Sequence, residues 1–206
     1  MKKFAAEGVG TFFLTAVIGI TADPISIGLL LTALIYIAIH VCDSHFNPAI
    51  SLAAWIGGRI DTSELGVYIS GQFFGAVTGG AFVWWISKLT YGPAPDQATL
   101  PYEFILIEIL FSFLFILLFL CMIYPARRRR NPLFGAIIGI GLAGCYLVTA
   151  PISGTGLNPA MSSGFILFDY INNGSSYQHL PVYLLAPGVG AIAAAYAHKF
   201  LMGDQA

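Results

Sequence analysis

The triplet Asn-Pro-Ala occurs twice, as Asn47, Pro48, Ala49 and as Asn158, Pro159, Ala160, 111 residues apart. Asparagine is a strong helix N-cap, and proline is favoured at the first helical position, where its missing N–H would have no partner anyway. Each triplet therefore starts a helix. The two apolar runs begun in this way, 47–56 and 158–168, are each about 15 Å long at about 1.5 Å per residue. That is half the thickness of a bilayer core. Two such helices entering from opposite faces meet near the midplane, where non-helical backbone survives only inside protein or against a wet cavity.

The chemistry of such a meeting point is electrostatic. Each helix N-terminus presents roughly half a positive charge, and two of them converging repel cations, hydronium included. The Asn47 and Asn158 amides donate to a passing oxygen, while the carbonyls before them accept. A water held by two donors turns its own hydrogens outward, which interrupts a proton-conducting file. No nucleophile, metal-ligand set or phosphate loop accompanies the triplets, so the pattern points away from an enzyme or a cofactor protein and towards a pore for neutral solutes.

The elements that must position these triplets are legible in the composition. The chain has 206 residues, 57% of them hydrophobic and only 9% charged, with a mean hydropathy of +0.80. Soluble domains carry about 25% charged residues, so lipid is the implied solvent. A net charge of −1 excludes nucleic acid as a partner. Six runs approach the length of about 20 residues that a membrane helix needs: 4–21, 25–42, 65–86, 102–124, 133–150 and 180–202. The N-terminal run continues too far for a cleaved signal peptide. Cys42, Cys121 and Cys145 all lie inside apolar runs and form a poor disulfide framework, so they count as small core thiols.

The order of elements repeats. Two spans, a short Asn-Pro-Ala segment and a third span fill residues 1–89; a loop over 90–101 leads to the same series in 102–206. Three spans per half is an odd number, so the second copy enters from the opposite side. Such inverted repeats place their binding site where the interrupted segments meet, and the whole chain counts as one channel domain. Lys2, Lys3, Arg59, Arg127, Arg128, Arg129, Arg130 and Lys199 fall on one face and only Lys88 on the other. Basic residues mark the cytoplasmic side, which puts both termini there in the plasma (cell inner) membrane. The arginine run also suits anionic lipid. Glycines spaced by four, Gly71, Gly75 and Gly79, with the shorter stripes Gly135, Gly139 and Gly190, Ala194, serve close helix packing within one bundle.

"HVCDSHFNPAIS" (40–51) and "SGTGLNPAMSSG" (153–164), with "AEGVGTFFL" (6–14) and "IEILFSFLF" (107–115), carry a resemblance to the major intrinsic proteins, the aquaporin and glycerol-facilitator family. The resemblance implies an all-α membrane protein: a right-handed bundle of six tilted transmembrane helices plus two re-entrant half-helices, one pore per subunit, usually a homotetramer. It also implies that Glu7 and Glu108, expensive intramembrane carboxylates, brace the two re-entrant loops instead of relaying protons. The family's narrow outer filter falls by family spacing on Ile27, Tyr146, Thr155 and Met161. Where the family normally carries arginine, this chain has Met161, trading five fixed donors and a full charge for a flexible thioether.

That filter fits neither the water-selective nor the glycerol pattern. Tyr183 follows water channels, whereas Leu184 leans the other way, and Ser162 stands where glycerol facilitators carry aspartate. The reading adopted is a passive water channel that excludes ions and protons. Its alternatives are a channel for ammonia, hydrogen peroxide, urea or glycerol, a closed-pore structural member of the fold, and a proton-coupled transporter using Glu7, Glu108 and Asp43. Asp43 is expected to cap local N–H groups, the alternative being a pore-mouth charge that attracts cations; His45 is expected to pack its loop, and His40 and His45 also offer a pH switch.

Overall fold

The computed structural model describes residues 1–124, 131–154 and 156–202, so the arginine run 127–130 and Thr155 lie outside the described residues. Among the described residues the chain forms eight α-helices: α1 (Lys2–Thr21), α2 (Pro24–Ala38), α3 (Pro48–Ile56), α4 (Thr62–Ser87), α5 (Pro101–Ile123), α6 (Phe134–Ser153), α7 (Pro159–Ile171) and α8 (Leu180–Met202). Local chemistry sets their starts. Asp23 accepts from Ser26 N at 2.8 Å to begin α2, and Pro24 sits at its first position. The Ser26 hydroxyl, then its N–H, hold the Asp23 carboxyl below the ordinary carboxylate range. Asp61 accepts from Glu64 N at 2.8 Å to begin α4. At α5 the cap runs backwards, with Glu103 accepting from Leu100 N at 2.9 Å ahead of Pro101.

Among the described residues four helices, α1, α5, α6 and the segment containing α8, are long and apolar enough to cross a membrane on those grounds alone. The other two of the six expected spans differ for physical reasons. Helix α2 has 15 residues; it unwinds after Ala38, whose carbonyl takes both Val41 N and Cys42 N as the chain turns inward. Helix α4 has 26 residues, but its glycines and Gln72 dilute its hydropathy. Helix α7 runs three residues past the expected end. Its last turn is held by Asn172, which donates from its side chain to Phe168 O at 2.7 Å.

Burial is inverted relative to a soluble protein. Leu29, Ile37, Ile140 and Leu185 each expose about two thirds or more of their surface, while Glu7, Gln72 and Glu108 are wholly buried. Apolar side chains can face outward at such density only when the surroundings are hydrocarbon.

Packing relations in the first series have counterparts in the second. Helix α1 packs on α4 as α5 packs on α8, and α4 meets α7 as α8 meets α3. Helices α2 and α6 pack on each other. At their crossing, Gly28 and Gly139 touch backbone to backbone: a Cβ on Gly139 would lie 2.3 Å from Gly28 O, and one on Gly28 would lie 2.4 Å from Gly139 O. Gly71, Gly75 and Gly79 all face α1, and Gly190 faces α5, so the glycine stripes are spent inside the bundle.

Candidate functional site at the paired asparagines

The two Asn-Pro-Ala helices meet tip to tip. Asn47 caps α3 by accepting from Ala49 N at 2.9 Å; Asn158 caps α7 by accepting from Ala160 N at 3.1 Å and Met161 N at 3.3 Å. Pro48 and Pro159 occupy the first helical positions. The side-chain amides then cross between the halves. Asn47 Nδ2 donates to Leu157 O at 2.8 Å, and Asn158 Nδ2 donates to Phe46 O at 2.8 Å.

The exchange depends on backbone strain. Phe46 and Leu157, the residues just before each asparagine, adopt left-handed φ values of 50° and 60°. A non-glycine residue there costs about 1–2 kcal/mol. The turn aims each carbonyl at the opposite asparagine. Buried carboxylates hold the strained loops in place. Glu7 accepts from His45 N at 2.9 Å, Phe46 N at 2.7 Å and Gln72 Nε2 at 2.7 Å. Glu108 accepts from Leu157 N at 2.7 Å and lies so close to Gly156 that a Cβ there would sit 2.2 Å from its Oε2.

An amide NH2 has two hydrogens, and the cross-link uses one from each asparagine. Both asparagines also line a small cavity of about 20 Å³, together with His45, Phe46, Leu157, Tyr146 and Met161 among apolar side chains. A water needs at least about 10–15 Å³ by this measure, so there is room for about one. Of the four filter positions, Tyr146 and Met161 line this cavity, Ile27 is buried but not among its described walls, and Thr155 lies outside the described residues.

Tyrosine hydroxyls take up the carbonyls of the loop leading to Asn158. Tyr183 donates to Ser153 O, Tyr91 to Gly154 O at 3.3 Å and Tyr146 to Gly156 O at 3.4 Å. On the opposite side, His45 bonds Ser51 Oγ through Nδ1 at 2.9 Å and Tyr124 Oη through Nε2 at 2.7 Å. Sequence reasoning missed Gln72, Ser51, Tyr91 and Tyr124. Gln72 had a signal, a polar residue inside the glycine stripe of an apolar helix.

Truncating Asn158 tests the cross-link. Asn158→Ala removes the cap of α7 and strands Phe46 O, and is expected to cost about 2 kcal/mol. A lowered thermal unfolding midpoint in detergent checks it; an unchanged midpoint means the two loops do not depend on each other.

Residues 6–198 match the family model described as "Major intrinsic protein". The chain is 34% identical over 221 residues to "Glycerol uptake facilitator protein-like 6" of Lactiplantibacillus plantarum, covering 100% of both chains. It is 31% identical over 243 residues to "Probable aquaporin AqpM" of Archaeoglobus fulgidus, covering 97% of this chain and 96% of that one. Its fold is similar to the X-ray structure of the aquaglyceroporin from Plasmodium falciparum, with a TM-score of 0.84 at 19% identity over 98% of this chain and 96% of that one. With the paired half-helices in place and the family model spanning nearly the whole sequence, the chain belongs to the major intrinsic protein family, membrane channels for water or small solutes.

Proposed function

We propose that this chain is a passive water channel whose single-file passage runs between Asn47 and Asn158 and excludes ions and protons. The observation that carries the reading is the cavity with room for about one water, walled by both asparagine amides at two converging helix tips. A cation about 4 Å from each half-charge tip, at an effective dielectric of about 20, is repelled by roughly 4 kcal/mol. That lowers its population about a thousandfold, whereas a neutral water meets two free N–H donors.

Filter chemistry supports a narrow, uncharged gate. Met161 replaces a fixed cation with a thioether, and the Tyr146 hydroxyl already occupies Gly156 O. A second reading, passage of ammonia, hydrogen peroxide or urea, draws support from the same uncharged walls. Glycerol, the solute in the name of the Lactiplantibacillus relative, belongs on the same panel of candidate permeants. Glu7 and Glu108 act as loop braces. The protein belongs in the plasma (cell inner) membrane as a homotetramer, one passage per subunit, with both termini in the cytoplasm, as the distribution of Lys2, Lys3, Arg59 and Lys199 favours.

The test is stopped-flow permeability of proteoliposomes against water, glycerol, urea, ammonia and hydrogen peroxide. Water is expected to lead. Met161→Arg should shift selectivity further towards water, by about tenfold over the less polar solutes, since one fixed charge is worth about 1–3 kcal/mol to a polar permeant in a desolvated site. Unchanged relative permeabilities would remove Met161 from the filter.

A further inference from the structure

The cavity at the asparagines has room for about one water, so a larger solute passes only if a wall gives way. Most of its walls are tied by hydrogen bonds. Asn47 and Asn158 cap their helices and cross between the halves. Leu157 N is held by Glu108, and the Tyr146 hydroxyl is bonded to Gly156 O. His45 bonds Ser51 and Tyr124 through its two ring nitrogens. Two aromatic walls are fixed by contact. Phe46 is pressed against α1, where a Cβ on Gly10 would lie 2.1 Å from its ring. Phe119 stands edge-on to the His45 ring, with 5.7 Å between centres.

The remaining walls, Leu14, Leu31, Phe115, Leu142 and Met161, are side chains held by packing. Met161 is a flexible thioether that can yield to a passing solute. Leu31 and Leu142 are counterparts in the two halves, 111 positions apart like the two asparagines. Leu14 has a counterpart as well. It is Phe115, 101 positions later, the same interval as from Glu7 to Glu108. Where α1 offers the cavity a leucine, α5 thus offers a ring. Phe115 is the bulkiest of these packed walls and is only 3% exposed. A phenyl ring turns about two torsions as a rigid plate, so among close-packed neighbours it cannot fold aside as leucine or methionine can.

We infer that Phe115 sets the upper size of the permeant, and does so beside the asparagines. Its ring is the wall that a solute larger than water must displace, and it acts through bulk alone, whereas Met161 acts through polarity. The break in the repeat at this one position makes the passage lopsided and narrows it from the α5 side. The inference rests on the channel reading, and it names the residue that separates water from larger neutral solutes such as urea and glycerol.

The experiment compares glycerol and water permeability per protein in proteoliposomes of the full chain, its Phe115→Leu variant and its Phe115→Met variant, each first checked as a monodisperse, folded species in detergent. Phe115→Leu gives α5 the residue that α1 already carries at the matching place. The glycerol-to-water ratio is expected to rise at least about tenfold, the lower end of what one methylene is worth in an apolar site, while water permeability itself changes little. Phe115→Met should move the ratio in the same direction. A water-permeable wild type whose ratio is unchanged in both variants overturns the inference and leaves the channel reading standing, as does a wild type that already passes glycerol as fast as water. A wild type closed to water but opened by Phe115→Leu overturns the channel reading and upholds Phe115 as the barrier. Wild type and both variants no faster than empty vesicles overturn both readings. If neither variant is recovered folded, Phe115 is a core residue only and the inference is likewise overturned.

Discussion

Replacing Gly75 with leucine is expected to leave almost no folded protein. A Cβ at Gly75 would stand 2.1 Å from Gly8 O, 2.9 Å from Gly8 C and 3.0 Å from Phe12 N. All three are backbone atoms of α1, so no side chain can turn aside to make room. Helix α4 would have to back away from α1 along the seam that also buries Glu7 and Gln72. Overpacking a core costs typically about 1–3 kcal/mol where side chains can adjust; against backbone the cost lies at or above the top of that range. In lipid, association between helices relies on close packing and weak polar contacts with no hydrophobic term to offset the loss. The measurement is the yield of monodisperse protein on size exclusion in detergent. Gly144→Leu serves as the control, because a Cβ there has nothing within 4 Å, and it should behave as wild type.

The second large effect is expected from Glu7→Ala. It would strand the N–H groups of His45 and Phe46 and the Gln72 amide, all buried and all now donating to the carboxylate. Each stranded donor costs about 1–3 kcal/mol, so the loss is about 3 kcal/mol or more, and Phe46 would have little to hold its left-handed turn. Folded yield and unfolding midpoint should both collapse. Glu7→Gln should fall between, since one oxygen still accepts while the new NH2 confronts donors. A proton-relay role for this carboxylate predicts the reverse: normal folding of Glu7→Gln with loss of uptake driven by a pH gradient.

Much of this architecture was legible in the residues because its signals are local. An Asn-Pro pair announces a helix start wherever it stands, and both half-helices begin at those pairs. A four-residue glycine spacing announces a close approach, although only the structure shows that Gly71, Gly75 and Gly79 face α1. Features built from distant residues were not legible. Tyr124 meets His45 across 79 positions and Asp43 across 81, and no periodicity links them. Gln72 reads as a polar blemish in an apolar span until Glu7 is set beside it. The three added residues of α7 depend on contacts that its last turn makes with other segments: Asp169 accepts from Ser176 N at 3.0 Å and from Thr90 Oγ1 at 3.1 Å, and no propensity encodes either. The end of α2 at Ala38 reflects the chain's need to turn inward towards Asn47, a demand that apolar patterning alone hides.

The swapped bonds between asparagine amides and opposing carbonyls carry a consequence for how the protein is made. The acceptor for Asn47 lies 110 residues downstream, and ribosomes add about 5–20 residues per second. For roughly 5–20 s, then, the Asn47 amide of the nascent first half has no Leu157 carbonyl to receive it. Glu7 can already hold the first loop from within its own half, but the cross-link itself can close only once Leu157 and Asn158 have been made, which puts the joining of the two tips late in biogenesis.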